Sequence, residues 1–527
     1  MTPSLTRREM LTAASLGSAG AVLGSSALAS ASESQLFDAL VAAAPANPGS
    51  DIGAIKHIVM VMMENRSFDH MYGTLRGVRG FDDDSTQARR AFKQKLPNGE
   101  GFVYPYRFNT DTMDASCTVG PEHDWAPMQR QYRNGRINFV RSQISAQPTN
   151  PDVTGPMTMG YYNRKDLRYY YRLADRFTIC DNYFCSVLGP TNPNRAYAMS
   201  GSIGADGRHG GPCIETTADN WQKFSWTTVP ELLDDAGVSW KVYAPTQSPD
   251  GFSGGPISLI AGNNILGAFK QYADPSTSLH KRAFTNDWPG QFLTDVANNK
   301  LPRVSWVWPG AVPGFDEHPS APVVRGSYGT DLLLQALFKN KELWSKTLVV
   351  HTYDEHGGYF DHVPPPQPDP GTPGEFLSVS PLPPETEGFA GPIGMGFRVP
   401  TMLLSPWTRG GFVSNQLMDH ASPLFFLEER FGIKVRAISK WRRKTSNNLA
   451  VALQMDNKRM SIPKLPPAPM TPRKVREQCT EENLNAELGG SEIPYPKKQR
   501  MPSQEAGTRK VVRNGKKVGT AVLPGRG

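Results

Sequence analysis

The stretch HIVMVMMENRSFDHMYGTLRG, residues 57–77, begins as an apolar run and then turns polar within one residue. Residues 58–63 are all Ile, Val or Met, and Glu64 and Asn65 follow directly. An apolar run without alternation is typical of a strand covered on both faces, as in a parallel sheet with helices on either side. Ligands of such sheets bind beyond the carboxyl ends of the strands. The stretch therefore predicts a buried strand that delivers Glu64 and Asn65 to a binding site.

Similar apolar runs recur along the chain and predict the rest of the sheet. They lie at residues 177–180, 238–243, 304–308, 348–353 and 399–404. Between them, helical patterns occur at residues 228–237, 329–341 and 419–432. Strands that alternate with helices indicate an α/β fold with a mostly parallel central sheet and helices on both faces. We also expect loop insertions between residues 80 and 174, a Pro- and Gly-rich loop at 363–391, and an irregular C-terminal extension.

The N-terminal residues have the composition of an export signal. Arg7 and Arg8 precede a mild run rich in Gly, Ala and Ser, which ends in small residues suited to cleavage. A membrane-anchoring helix is the alternative interpretation, but the run is only weakly apolar. Residues 1–31 therefore predict a twin-arginine signal peptide and export through the twin-arginine machinery. The mature protein is expected to be periplasmic, at the cell surface or secreted.

The positive charge of the chain is concentrated near its C-terminal end. The net charge is +8, from 57 Lys and Arg against 49 Asp and Glu. Residues 433–527 hold 21 of the basic residues and 7 of the acidic ones, so the remainder is mildly acidic. This segment is predicted either to face anionic lipid headgroups by Coulomb attraction or to be a solvated extension. We expect no nucleic-acid partner.

The cysteines show neither CxxC spacing nor the spacing of a zinc knuckle. One or two disulfides are allowed in an exported protein, and their connectivity stays open. The five cysteines are Cys117, Cys180, Cys185, Cys213 and Cys479.

A second predicted strand ends in the same way as the first. In TLVVHTYDEHGGYFDH, residues 347–362, the apolar run gives way to Asp354 and Glu355, and then to two glycines that allow a close backbone approach. If the two strand ends are adjacent, several negative charges lie within a few ångströms, which is costly unless a cation balances them. Carboxylate and amide oxygens suit a divalent ion. The alternative is that each acidic pair caps a helix or lies in a surface loop.

A third motif supplies a hydroxyl group. In CSVLGPTNPNRAYAMSG, residues 185–201, Gly189 and two prolines indicate a sharp turn, and Thr191 follows at the start of a predicted helix. A helix N-terminus favours an anion, and metal coordination can activate a hydroxyl as a nucleophile. Thr191 could therefore attack a phosphorus atom, and the alternative is a plain capping threonine.

These motifs together resemble one known family. HIVMVMMENRSFDHMYGTLRG, GPTNPNR, DEHP and YDEHGGYFDHV occur in the order found in the bacterial phosphoesterase family, which includes phosphatidylcholine-preferring phospholipases C and related acid phosphatases. That family belongs to the alkaline phosphatase superfamily. The resemblance implies a catalytic domain over residues 50–432, followed by a basic, Pro-rich extension over 433–527. The chain resembles the shorter phospholipase C form.

The resemblance also implies roles for individual residues. One divalent ion, zinc or calcium, would be held by five residues, and Thr191 among them would be the nucleophile. His123 and His318 would contact the phosphoryl oxygens or protonate the leaving alkoxide. Arg195 is expected to order the turn, and His356, His362 and His420 are weaker candidates. The implied metal ligands are Glu64, Asn65, Thr191, Asp354 and Glu355.

The function implied is that of an exported phospholipase C, which cleaves phosphatidylcholine-type lipids at a membrane surface into diacylglycerol and a phosphorylated headgroup. The many aromatic residues between 101 and 171 favour a pocket for a cationic headgroup. Two alternatives remain open. One is an acid phosphatase that cleaves monoesters with the same residues, and the other is a non-catalytic surface protein that the metal stabilises.

Overall fold

The computed structural model describes residues 51–99, 101–111, 115–143, 151–216, 220–245, 264–309, 315, 317–319, 321–323, 325–468 and 492–520. The predicted signal peptide, residues 1–31, lies outside them, as does Cys479. No helix among the described residues is both long and apolar enough to pass through a bilayer.

A nine-stranded sheet forms the centre of the molecule. Its strands are β1 (His57–Met63), β8 (Thr178–Cys180), β9 (Trp240–Tyr243), β10 (Val304–Val307), β11 (Thr347–Tyr353), β12 (Thr401–Leu404), β13 (Phe412–Ser414), β14 (Lys510–Arg513) and β15 (Lys516–Thr520). Their order in the sheet is β15-β14-β13-β8-β12-β11-β1-β10-β9. Strand β1 lies between β11 and β10 and is parallel to both. Strands β12 and β15 are antiparallel to their neighbours.

All six apolar runs predicted as strands belong to this sheet, so the predicted α/β class with a mostly parallel sheet is confirmed. Every residue of β11 is buried, as are residues 58–63 of β1. Because these strands are buried on both faces, they lack the alternation of apolar and polar residues that is typical of a sheet with one solvent-exposed face.

Helices and connecting segments surround the sheet. The predicted helix at 228–237 is present as Val229–Asp235, and Thr228 and Glu231 form a capping box at its start. The helices are α1 (Phe68–Tyr72), α2 (Thr86–Ala91), α3 (Trp125–Gln131), α4 (Phe139–Ser142), α5 (Pro151–Met157), α6 (Arg168–Ala174), α7 (Thr191–Ser200), α8 (Val229–Asp235), α9 (Ser278–Phe284), α10 (Gly290–Ala297), α11 (Arg325–Lys339), α12 (Lys341–Trp344), α13 (Ala421–Phe431) and α14 (Lys440–Thr445).

The segment between β1 and β8, where we predicted loop insertions, also contains three small two-stranded sheets. The Pro- and Gly-rich segment 363–391 has one short 3₁₀ turn, Pro384–Thr386, and no longer element, as predicted. The small sheets are formed by β2 (Gln94–Lys95) with β3 (Phe102–Val103), β4 (Tyr106–Arg107) with β7 (Gly160–Tyr161), and β5 (Tyr132–Arg133) with β6 (Arg136–Ile137).

The end of the chain is more regular than the sequence analysis expected. Strand β14 pairs in parallel with β13 and extends the central sheet, and Val511 and Val512 are buried there. The Arg509 guanidinium donates to the carbonyl of Ala174 at 2.6 Å and pairs with Asp175. The final described residues are therefore part of the body of the molecule.

The described cysteines differ in state. Cys117 is disulfide-bonded. Cys180, Cys185 and Cys213 are free and buried, and burial raises the pKa of each thiol. These three thiols are consequently poor nucleophiles.

Candidate active site

The predicted adjacency of the two polar strand ends is present in the sheet. Strands β1 and β11 pair over their full length, and Met63 lies opposite Tyr353. The next residues therefore leave the sheet side by side. The backbone N–H of Asn65 donates to Asp354 Oδ1 at 3.2 Å, although the two residues are 289 positions apart. Glu64 is 5% exposed, whereas Asn65, Asp354 and Glu355 are fully buried.

Two glycines follow Glu355, and they let neighbouring backbone segments approach the chain just beyond β11. Gly357 and Gly358 have φ values of +64° and +69°. A Cβ on Gly357 would lie 2.3 Å from the carbonyl oxygen of Asn65, and one on Gly358 would lie 2.6 Å from that of Glu122. Only glycine combines a favourable positive φ with the absence of a Cβ that would collide with these carbonyl groups. The close approach brings the segment before His123 against the end of β11.

Helix α7 contributes a cation and the predicted nucleophile. Arg195 donates from Nε to Asp354 Oδ2 at 3.1 Å and from Nη2 to Glu64 Oε1 at 3.4 Å. Thr191 is the first residue of α7 and is 4% exposed. Residues four apart on a helix are neighbours, so we expect Thr191 on the same side of α7 as Arg195. Arg195 was expected to order the turn; in the structure Asn194 makes the turn contacts, and Arg195 contacts the carboxylates.

Two histidines border the cluster. Asn65 Nδ2 donates to His123 Nε2 at 2.9 Å, and the His123 Nδ1–H donates to the carbonyl of Pro121 at 2.7 Å. The rings of His123 and His318 are 5.7 Å apart, and His318 Nδ1 contacts the carbonyl of Pro319. His123 Nε2 accepts from Asn65 and His318 Nδ1 is engaged by a carbonyl group, so we expect proton exchange with a substrate to take place at His318 Nε2.

Two residues that the sequence analysis did not single out hold His318 in place. Arg66 donates from Nη2 to the carbonyl of Glu317 at 2.6 Å. The Glu317 carboxylate accepts from the hydroxyls of Tyr353, at 2.5 Å, and Tyr170. The signal was present in the sequence, since Arg66 follows Asn65 and Glu317 precedes His318. Their contacts could not be assigned without the fold.

The cluster has the charge and the open acceptors that a cation site requires. Among the described residues, no hydrogen-bond donor reaches Asn65 Oδ1 or Glu355 Oε1, although both atoms are buried. Burial, followed by the Asp354 and Glu64 carboxylates, raises the pKa of Glu355 well above its ordinary value. The cluster contains three carboxylates, and Arg195 pairs with two of them, those of Glu64 and Asp354. Buried acceptors without donors, beside excess negative charge, fit a divalent cation.

A second buried acidic group lies nearby and could also hold a metal ion. One ligand atom from each of Asp69, Asp361 and His362 lies within 4.8 Å of the others. Here, however, Arg398 already pairs with Asp69 at 3.0 Å and with Asp361 at 2.9 Å, and His362 Nδ1 donates to Asp69 at 2.6 Å. Although burial opposes it, the charges of His362 and Arg398 lower the pKa of Asp69. This group is balanced by its own cations, unlike the cluster around Glu355.

The three weaker histidine candidates have other partners. His356 Nε2 contacts Gln131 Oε1 at 2.6 Å, and burial lowers its pKa to about 3. His420 Nε2–H donates to the carbonyl of Asp354 at 2.7 Å and so orients a predicted ligand. His362 belongs to the Arg398 group. The aromatic residues expected to line a headgroup pocket lie largely in the core: Trp125, Tyr162, Tyr169, Tyr170 and Tyr171 are each at most 1% exposed.

Comparison with known proteins identifies a family and several relatives of this chain. The Phosphoesterase family matches residues 55–434. Phospholipase C B of Mycobacterium tuberculosis is 40% identical over 86% of this chain and 88% of its own length. Non-hemolytic phospholipase C of Pseudomonas aeruginosa is 34% identical over 96% of this chain and 70% of its own. Among solved structures, the lipoteichoic acid synthase LtaP from Listeria monocytogenes is 10% identical, with 77% of this chain and 79% of that chain covered and a TM-score of 0.32.

The chain belongs to the phosphoesterase family. The predicted family resemblance is thereby confirmed, and so is the prediction of an enzyme that hydrolyses phosphoric esters.

Proposed function

We propose that this protein is a phospholipase C that hydrolyses phosphatidylcholine-type lipids to diacylglycerol and a phosphorylated headgroup. One observation carries the proposal: the paired ends of β1 and β11 bring Glu64, Asn65, Asp354 and Glu355 into one buried cluster. Arg195 of α7 is hydrogen-bonded to this cluster, and Thr191 precedes it by one helical turn. The names of the relatives support the same reaction.

The proposed candidate metal site consists of Glu64, Asn65, Thr191, Asp354 and Glu355. The Asn65 amide nitrogen donates to His123, and its oxygen Oδ1 is buried with no donor among the described residues, which leaves that oxygen available to a cation. A divalent ion in this site would supply Lewis-acid charge, which lowers the pKa of a hydroxyl and stabilises charge on phosphoryl oxygens.

The residues of the chain then divide the reaction into two displacements. In the first, Thr191 Oγ gives its proton to solvent and forms a bond to phosphorus, while the bond from phosphorus to the diacylglycerol oxygen breaks and a protonated histidine gives its proton to that oxygen. In the second, a water oxygen bonds to phosphorus as the bond to Thr191 breaks. The water gives a proton to the histidine, and Thr191 Oγ takes a proton back from solvent. The backbone N–H groups at the N-terminus of α7 would stabilise charge on the phosphoryl oxygens.

A substrate panel tests the reaction class. Hydrolysis of phosphatidylcholine, p-nitrophenyl phosphorylcholine and p-nitrophenyl phosphate is measured on protein treated with a chelator and then resupplied with zinc or calcium. We expect diester hydrolysis that is lost with the chelator and returns with one ion. If the protein prefers the monoester p-nitrophenyl phosphate, it is an acid phosphatase and the proposal is wrong. If it hydrolyses none of the substrates, it is a non-catalytic protein.

The role of Thr191 gives the first prediction. Thr191→Ala should lower kcat for p-nitrophenyl phosphorylcholine by about 1000-fold or more, because the covalent step loses its nucleophile, while Thr191→Ser should retain part of the activity. Thr277, the capping residue of α9, provides the control, since Thr277→Ala removes a threonine at another helix N-terminus. Full activity in Thr191→Ala would refute the nucleophile assignment.

We also propose export by the twin-arginine route, which rests on Arg7 and Arg8 and the following Ala- and Ser-rich run. Replacement of both arginines by lysine should trap the protein inside the producing cell. Unchanged export of that variant would contradict the route.

A further inference from the structure

A large cleft lies outside the candidate active site. Its volume is about 1180 Å³. One wall comes from the segments 104–107 and 161–172, and the other comes from 464–466 and 496–505 near the end of the chain. The lining residues are different from those of the candidate metal site. We call this feature the basic cleft.

The charge of the basic cleft is strongly positive. Eight Lys and Arg residues line it, with Glu505 as the one acidic lining residue. Two of the eight are neutralised locally, since Arg107 pairs with Asp166 and Arg164 pairs with Glu505. The other six form no ion pair with any carboxylate in the part of the chain that the structure describes. They are Lys165, Arg168, Arg172, Lys464, Lys498 and Arg500.

Two exposed apolar residues lie next to lining residues of the same cleft. In the described part of the chain, the large hydrophobic residues that are exposed are Phe102, Met460 and Ile462, at 39%, 41% and 40%. The Phe102 carbonyl accepts a hydrogen bond from Gln499 Nε2 at 3.0 Å, and Gln499 lines the cleft. Ile462 precedes the lining residue Lys464 by two positions. We call Phe102 and Ile462 the apolar rim.

Cations in a cleft bind phosphate groups, and exposed apolar side chains beside them enter the acyl region of a bilayer. A soluble polyanion would need only the cations. We propose that the basic cleft and the apolar rim form a second, non-catalytic site that binds the headgroups of anionic phospholipids. Binding there holds the enzyme at a membrane surface and requires no hydrolysis, so the proposal goes beyond the proposed activity.

Vesicle binding tests the proposal with matched variants. Cosedimentation is measured with phosphatidylcholine vesicles, with and without phosphatidylglycerol, in a Thr191→Ala background and in the unmodified protein. The cleft variant combines Arg168→Ala, Lys498→Ala and Arg500→Ala, all exposed positions. The control combines Lys300→Ala, Lys339→Ala and Lys341→Ala, which are exposed lysines outside the cleft.

We expect binding that requires phosphatidylglycerol and weakens with salt. Each lost cation should weaken binding about fivefold, so the cleft variant should bind about 100-fold more weakly than the control variant. Hydrolysis of soluble p-nitrophenyl phosphorylcholine by both triple variants, with Thr191 intact, should equal that of the unmodified protein, which separates this site from the active site. Equal vesicle binding by the two triple variants would overturn the proposal.

A further variant separates a membrane from a soluble anion. Phe102→Ser with Ile462→Ser should weaken binding to phosphatidylglycerol vesicles about tenfold, because it removes apolar area that leaves water on insertion. It should leave binding of inorganic pyrophosphate, measured by calorimetry, unchanged. If pyrophosphate binds tightly and the apolar rim variant binds vesicles normally, the cleft is a site for soluble polyanions and the proposal is wrong.

Discussion

Asn65 lies at the end of β1 with a φ of +59°, in the left-handed region that few residues other than glycine adopt. Asparagine tolerates this conformation, and both ends of its side-chain amide have a role here. Its nitrogen donates to His123, and its oxygen is one of the buried acceptors of the proposed metal site. Glycine would satisfy the backbone but would supply neither atom.

Asn65→Ala should therefore weaken binding of the activating metal by about 10- to 100-fold, measured by calorimetric titration of chelator-treated protein. Asn134 provides a matched control, since it is exposed and has a φ of +53° in the turn between β5 and β6. Asn134→Ala introduces the same backbone strain without loss of a ligand. Equal metal affinity in the two variants would remove Asn65 from the ligand set.

His351 gives a prediction for pH. It lies in β11, contacts Thr330 Oγ1 at 3.0 Å, and has a pKa that burial lowers from 6.5 to about 4. The unfolded chain binds this proton at a higher pH than the folded chain does. The contribution of His351 to the free energy of unfolding is therefore fully present above pH 6.5. As the pH falls towards 4, this contribution decreases by about 3 kcal/mol in total.

The measurement is urea unfolding of wild type and His351→Gln at several pH values between 7 and 4. The variant should lose less stability over this interval, whatever its stability at pH 7. His209→Gln, at an exposed position, is the control and should follow the wild type. Parallel pH curves for wild type and His351→Gln would show that the histidine is not buried in its neutral form.

At the scale of elements, Arg398 joins the segments that follow β1 and β11. Its guanidinium pairs with Asp69 and Asp361 and donates to the backbone carbonyls of Arg79 and Asp181. Arg398→Met should lower the free energy of unfolding by about 3–5 kcal/mol, because two buried carboxylates lose their cation. Denaturant titration measures this loss.

Arg443 pairs with Glu428 through two hydrogen bonds at 2.9 Å, and its side chain is 25% exposed. Arg443→Met is the control and should cost about 1 kcal/mol or less. If the two variants lose the same stability, the Arg398 group is not a buried network, and the case for a metal between Asp69, Asp361 and His362 becomes stronger.

The elements that the sequence predicted are those with long apolar runs. Six strands were predicted because each run reaches four residues or more, and β1 and β11 were expected to be neighbours because their polar ends suit one cation. Strand β13 has three residues, and β14 has basic residues at both ends, so neither gives a clear pattern. The antiparallel direction of β12 depends on how the chain returns to the sheet, which local sequence does not encode.

At the scale of the whole molecule, the C-terminal strands complete the sheet. Val512 is fully buried in β14, whereas Lys510 in the same strand is exposed. Val512→Asp should destabilise the protein by about 3 kcal/mol, because it removes buried apolar area and buries a carboxyl group. Lys510→Asp is the control, and differential scanning calorimetry measures both. An unchanged melting temperature for Val512→Asp would mean that β14 is not part of the folded body.

The proximity of the two polar strand ends was predictable, but the contacts that support them were not. Glu64, Asn65, Asp354 and Glu355 follow apolar strands, and that pattern is local. Arg195, Glu317 and His420 contact the site from other parts of the chain, and only the fold sets their distances. The basic cleft is less predictable still, since its two walls are about 300 residues apart in sequence.

The 289 residues between Asn65 and Asp354 affect how the protein is made. Asn65 and the strand before it leave the ribosome long before Asp354 is translated. Until β11 arrives, β1 has an open edge on the side that β11 later fills, and its apolar side chains are available to chaperones and to other nascent chains. Slow, late pairing is expected for contacts so distant in sequence. Active enzyme should therefore appear only after most of the chain has been synthesised, and no shorter N-terminal fragment should hydrolyse lipid.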